Sequence, residues 1–76
     1  MAKLGPIERK KFEKFLHKVG CFFERDGGNH DVYWREGIIR PITVPRHSTI
    51  SVRVIKSNLN TLGISVEEYL KILDEL

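Results

Sequence analysis

The stretch Cys21-Phe22-Phe23-Glu24-Arg25-Asp26-Gly27-Gly28-Asn29-His30-Asp31-Val32-Tyr33-Trp34-Arg35 decides the fold. Two aromatic-rich runs flank a turn of glycine and asparagine, residue types that adopt positive φ at low cost. The first run predicts a strand over Cys21–Asp26, and the second a strand over His30–Arg35. In the second, Val32 and Trp34 alternate with Asp31, Tyr33 and Arg35, the two-residue period of a pleated strand. Glu36-Gly37 reads as a two-residue hairpin turn leading into a third strand over Ile38–Val44. Pro41 falls inside that strand and has no amide to donate. It therefore calls for an edge position, which a 1-2-3 meander provides.

Helices are expected on both sides of this meander. Upstream, Phe12, Phe15, Leu16 and Val19 follow the i, i+3, i+4, i+7 spacing of a buried stripe. That helix should begin near Pro6 and stop at Gly20. Downstream, Pro45 ends the sheet. A second helix starts around Ser48 to Ser51, carries Val52, Ile55, Leu59 and Leu62 on one face, and ends at Gly63. Ser65 and Glu68 form a Ser-x-x-Glu capping box opening a third helix, with Val66, Tyr69, Leu70 and Leu73 on one face. The expected architecture is α+β, in the order α-β-β-β-α-α, with a three-stranded antiparallel sheet packed on helices.

The composition agrees with one compact domain over residues 1–76. A chain of 76 residues buries only about 60% of the surface its unfolded form exposes, so it supports a single core. Hydrophobic content of 41% with 30% charged residues is that of a globular chain rather than a disordered one. The one cysteine, Cys21, excludes an internal disulfide and so a cross-linked secreted miniprotein. The opening Met1-Ala2-Lys3-Leu4-Gly5-Pro6 has no apolar run of signal-peptide length, and no segment is suited to spanning a membrane. A cytoplasmic location is the expectation. The net charge is +3, with the basic residues concentrated in residues 1–60. The tail beyond holds Lys71 against Glu67, Glu68, Asp74 and Glu75. A basic body suits a polyanionic ligand, although a solvated Lys/Arg face has the same signature.

His30 is the candidate for chemistry. It stands at a strand start, where its side chain is held rigidly, directly behind a glycine turn that leaves room for a ligand backbone. Imidazole titrates near neutral pH and can move protons there. Strand periodicity sets it on the side of Val32 and Trp34, so a partly buried histidine at the rim of the core is the plainer reading. Asp31 should face the other way, which makes it a poor partner for the ring. The Gly27-Gly28-Asn29 turn is explained by hairpin geometry alone, yet the same conformation can aim amides of Gly28 and Asn29 at a phosphate. Pro45-Arg46-His47-Ser48 follows the third strand and could fold back beside that turn. Arg46 would bring a planar fork for phosphate oxygens. Lys10 and Lys14 belong to a basic helix face that could rest against phosphates or simply meet water. His17, Cys21, His30 and His47 do not form a metal motif, because Gly20 breaks the i, i+4 face of His17 and Cys21. No metal and no cofactor are expected.

Residues 6 to 73 resemble the HicA family of bacterial and archaeal toxins. The likeness is carried by the first helix ending in Gly20, by Gly28-Asn29-His30-Asp31-Val32-Tyr33, and by Val44-Pro45-Arg46-His47. It ends with Leu59-x-x-Leu62-Gly63-Ile64-Ser65-Val66-Glu67-Glu68-Tyr69-Leu70. The resemblance implies an mRNA interferase, the toxic half of a type II toxin–antitoxin pair. It also implies a double-stranded-RNA-binding-domain-like fold with an extra C-terminal helix. The family's active histidine falls on His30; the serine that often precedes it is Asn29 in this chain. The implied partners are an mRNA substrate and a HicB-like antitoxin that masks the site. A non-catalytic RNA-binding module of the same fold is the alternative, and a protein-interaction domain with no affinity for RNA a third reading.

Overall fold

The computed structural model describes residues 4–76, so Met1-Ala2-Lys3 of the N-terminal stretch lie outside it. The elements run β1 (Ile7–Glu8), α1 (Arg9–Lys18), β2 (Phe22–Asp26), β3 (His30–Trp34), β4 (Ile42–Pro45), β5 (Thr49–Ile50), α2 (Val52–Leu62) and α3 (Val66–Asp74). Strands β2, β3 and β4 form an antiparallel sheet in that order, while β1 and β5 make a second, two-stranded pairing. The fold is α+β, the double-stranded-RNA-binding-domain-like α-β-β-β-α with an added C-terminal helix, as expected.

Cross-strand register decides which sheet face meets the helices. Tyr33 pairs with Ile42 and Asp31 with Val44, so these four share a face. Tyr33, Ile42 and Val44 join Phe12, Phe15 and Leu16 of α1, Ile55, Leu59 and Leu62 of α2, and Tyr69 of α3 in one core cluster. The helix-packed face is therefore that of Tyr33. His30 and Val32, which pair with Pro45 and Thr43, lie on the opposite face. Trp34 shares the period of that opposite face and also packs against the core's margin. An aromatic triad centres the helix layer: Tyr69 stands edge-on to Phe15 at 4.8 Å between centroids, and Phe12 lies 5.8 Å from Phe15.

Helix boundaries follow from caps. Ser51 and Ser65 each accept a hydrogen bond from the backbone three residues on, at Val54 and Glu68, each cap being worth about 1 kcal/mol. Gly63 ends α2 with φ at +72°, the left-handed geometry that closes helices. The first helix starts later than its Pro6 signal suggests. Ile7 and Glu8 are taken up by β5, where Ile7 pairs with Ile50, and the Arg9 amide then donates to the Ser48 carbonyl at 2.9 Å.

The expected Ile38–Val44 strand is corrected to Ile42–Pro45. Gly37 turns the chain with φ at +94°, after which Ile38 plugs the core from a loop while Ile39 is exposed. Pro41 thus precedes the strand, and Pro45 is the edge-strand proline. The outer side of β4 is further sealed by Asn58 of α2, a buried side chain that donates to the Thr43 carbonyl at 3.0 Å. The opposite edge, β2, is exposed along its length and carries a bulge between Phe23 and Arg25.

Candidate active site

The hairpin turn is built by two hydrogen bonds. The Gly27 amide donates to the His30 carbonyl at 2.9 Å, and the Gly28 amide donates to Asp26 Oδ1 at 2.8 Å. Gly28 has φ at +89°, a conformation that glycine adopts without strain. Asn29 then offers its carbonyl to the Arg46 amide at 3.3 Å. That bond extends the β3–β4 ladder past His30 and Pro45, bringing the segment after β4 against the turn. Gly28, Asn29, His30, Arg46 and His47 are gathered at one end of the sheet.

His30 is half-buried on the face away from the helices. Its ring is closely shadowed by the turn: a Cβ added at Gly27 would lie 3.2 Å from His30 Cδ2 and 3.0 Å from Val32 Cγ2. The absence of a side chain at Gly27 is what leaves the imidazole its place. Asp31 points to the other face, as its alternation with His30 requires.

Arg46 is the electrostatic centre of this end. Its Nε and Nη2 donate to Asp31 Oδ1 at 3.1 and 3.0 Å, and Nη2 also pairs with Asp26 Oδ1. The Arg46 hydrogen bond is the main reason the Asp26 carboxyl is held below its ordinary range, with the Gly28 amide adding to it. The same carboxylates push the Arg46 guanidinium still higher, Asp26 first and Asp31 second. One arginine therefore ties together the strand before the turn, the strand after it and the segment beyond β4. Two of its three nitrogens, Nε and Nη2, are committed to carboxylates.

The turn's own donors are similarly divided. Gly27 and Gly28 spend their amides on His30 and Asp26, so the Asn29 amide is the turn's remaining backbone donor among the described residues. His47 is exposed, next to Arg46. Lys10 borders a shallow depression with Glu8, Arg9 and Ser48, adjoining this end of the molecule. Lys14 borders a different one, with Lys10, Lys11 and the C-terminal Leu76. It sits on another flank of α1 from Glu13 and His17, which meet Tyr33, and the structure shows no contact joining it to the turn. No group of three or more His, Cys, Asp or Glu side chains converges among the described residues.

Asp26 is the participant that sequence reasoning missed. Its signal was present, since an aspartate two residues before a glycine amide is the usual starter of an Asx turn. Its second bond, to Arg46, depends on strand register and leaves no mark in local sequence. Tyr33, on the helix-packed face of β3, donates to Glu13 at 3.2 Å. Burial and that carboxylate push its phenol up to about 12, so it stays protonated and structural.

Among the described residues no helix is long and apolar enough to cross a membrane. No curated protein and no solved structure matches the chain significantly. A family model, the HicA toxin of bacterial toxin–antitoxin systems, matches residues 9–64. That span runs from the first residue of α1 to just beyond α2, and includes the whole hairpin and the Arg46 segment. The chain belongs to the HicA toxin family: it is the toxin of a toxin–antitoxin system, with an antitoxin as its partner.

Proposed function

We propose that this toxin is an mRNA interferase, a metal-independent endoribonuclease acting in the cytoplasm through His30 and silenced by a HicB-like antitoxin. The observation that carries this reading is the placement of His30. It is a half-buried imidazole fixed at the first residue of β3, beside a turn opened by two glycines and next to the Arg46-His47 segment.

RNA brings its own nucleophile. Removing the proton of a ribose 2′-hydroxyl lets that oxygen attack the adjacent phosphorus, and the bond from phosphorus to the 5′-oxygen then breaks. The products are a 2′,3′-cyclic phosphate and a 5′-hydroxyl that has gained a proton. Imidazole as a side chain is suited to either proton transfer near neutral pH. His30 performs one of them, and His47 is the neighbouring group suited to the other. Arg46 and the Asn29 amide meet the phosphate oxygens, with Gly28 allowing close approach. Lys10 and Lys14 add positive charge along α1 for the flanking backbone.

The test compares the chain with its His30→Ala form on a defined transcript. The expected result is cyclic-phosphate ends on the wild-type products and, for His30→Ala with an unchanged fold, cleavage reduced by about 10²–10⁴-fold. Equal cleavage by both forms rules His30 out. RNA binding without cleavage by the wild-type chain leaves the fold as a non-catalytic RNA-binding module.

A further inference from the structure

The face of the sheet turned away from the helices carries a second group of side chains that the site above does not use. Phe22 pairs directly with Trp34 across the β2–β3 ladder, and Arg25 pairs with Val32, so all four project to the same side as His30. Phe22 is 50% exposed although large and apolar, and Trp34 is only partly covered. Arg25 is exposed, and its contact with the neighbouring Glu24 is a surface pair that a stronger anion readily replaces. From His30 the strand runs to Trp34 over about 13 Å, at roughly 3.3 Å per residue.

We infer that this face is a stacking platform for single-stranded RNA, in which Phe22 and Trp34 hold a base and Arg25 meets the phosphate between that base and His30. The inference rests on the ribonuclease reading and deepens it, because a polymer cut at His30 must continue across the neighbouring surface. Aromatic faces accept any base, and a cation set between aromatic and imidazole tracks the backbone. On this side of β3 the half-buried His30 and Trp34 flank a buried Val32, so the path runs along the exposed Arg25 and Phe22 of β2, whereas the other side is filled by α1 and α2. A protein partner is the competing occupant. It is favoured less, because β2 exposes three consecutive charged residues, Glu24, Arg25 and Asp26, and is bulged within them, features that discourage strand addition.

Trp34 is the chain's one tryptophan, so its emission reports directly on the platform. A short 2′-O-methyl oligoribonucleotide, which has no 2′-hydroxyl nucleophile, is titrated into the wild-type chain. Saturable quenching of Trp34 is expected. Phe22→Ala should weaken binding about tenfold, within the range found for base–aromatic stacking. Phe22→Tyr should restore it, and Arg25→Ala should flatten the salt dependence. Circular dichroism checks that each variant folds; Phe22, being half exposed, is a mild site for truncation.

An oligonucleotide that binds with unchanged Trp34 emission and equal affinity for Phe22→Ala overturns the platform while leaving the ribonuclease reading intact. A Phe22→Ala chain that keeps RNA affinity but loses its purified antitoxin assigns the face to protein and also overturns it. A wild-type chain that neither binds the oligonucleotide nor cuts RNA removes the ribonuclease reading, and the platform with it.

Discussion

Arg46 and Asp31 are joined through two nitrogens on a single carboxylate oxygen, at 3.1 and 3.0 Å, from segments fifteen residues apart in sequence. With Asp26 on the same guanidinium, the arrangement fixes the hairpin turn to the chain beyond β4.

The clamp predicts an acid limit. The Asp26 carboxyl sits below its ordinary value of 3.8 in the folded chain, so its contribution to stability is complete above that value. It fades as pH falls through the lower folded value. Amide exchange at Gly28 should therefore accelerate selectively in acid, and Asp26→Asn should remove that acceleration. On the ribonuclease reading, Arg46→Lys should lower kcat more than it raises KM, because lysine cannot span two carboxylates in one plane.

Gly27 and Gly28 should respond differently to alanine. At Gly27 the added methyl meets the His30 carbonyl oxygen and Val32 Cγ2 at 3.0 Å and the imidazole at 3.2 Å, an overpacking cost of about 1–3 kcal/mol that displaces the turn and the imidazole together. At Gly28 there is open space but φ is +89°, so the cost is backbone strain of about 1–2 kcal/mol. Chemical denaturation should rank the two as similar. Cleavage should fall much further for Gly27→Ala, and parity between them would disconnect the turn from the chemistry.

Asn58→Leu should destabilise the chain. The side chain is buried and satisfies the Thr43 carbonyl; leaving that acceptor unpaired costs about 1–3 kcal/mol. The midpoint of urea unfolding should shift down with an unchanged slope.

Tyr69→Phe should do the reverse. The Tyr69 hydroxyl is buried with no partner among the described residues, and burial pushes its pKa up to about 12. Removing an unpaired polar atom while keeping the ring against Phe12 and Phe15 should be neutral or gain up to about 1 kcal/mol. A loss in thermal scanning would mean the hydroxyl has a partner.

Much of this structure is legible in residues 21–35. Aromatic runs on both sides of a glycine–asparagine turn fix the β2–β3 hairpin, and alternation sets His30 and Asp31 on opposite faces. Helical spacing likewise exposes the buried stripes of α1, α2 and α3, and Ser51 and Ser65 mark real caps. The Ile38–Val44 run misleads because an apolar loop residue plugging a core looks the same as a strand residue. Only the Gly37 conformation and Pro41 separate the two. The β1–β5 pairing is two residues long, too short for any period, so Pro6 wins the local reading and loses the tertiary one. Charge patterning reads Arg46 as a free cation, but register gives two of its nitrogens to Asp26 and Asp31. Lys10 and Lys14, one turn apart on α1, border one depression together, as their i, i+4 spacing implies.

The residues after β4 are held at both ends. Ile42–Pro45 belongs to one ladder and Thr49–Ile50 to the other, with only Arg46, His47 and Ser48 between them. Surface connections ordinarily absorb insertions and deletions with little harm. This one has no slack: lengthening or trimming it must unzip a rung in one sheet or the other, so its size is dictated by architecture on both flanks.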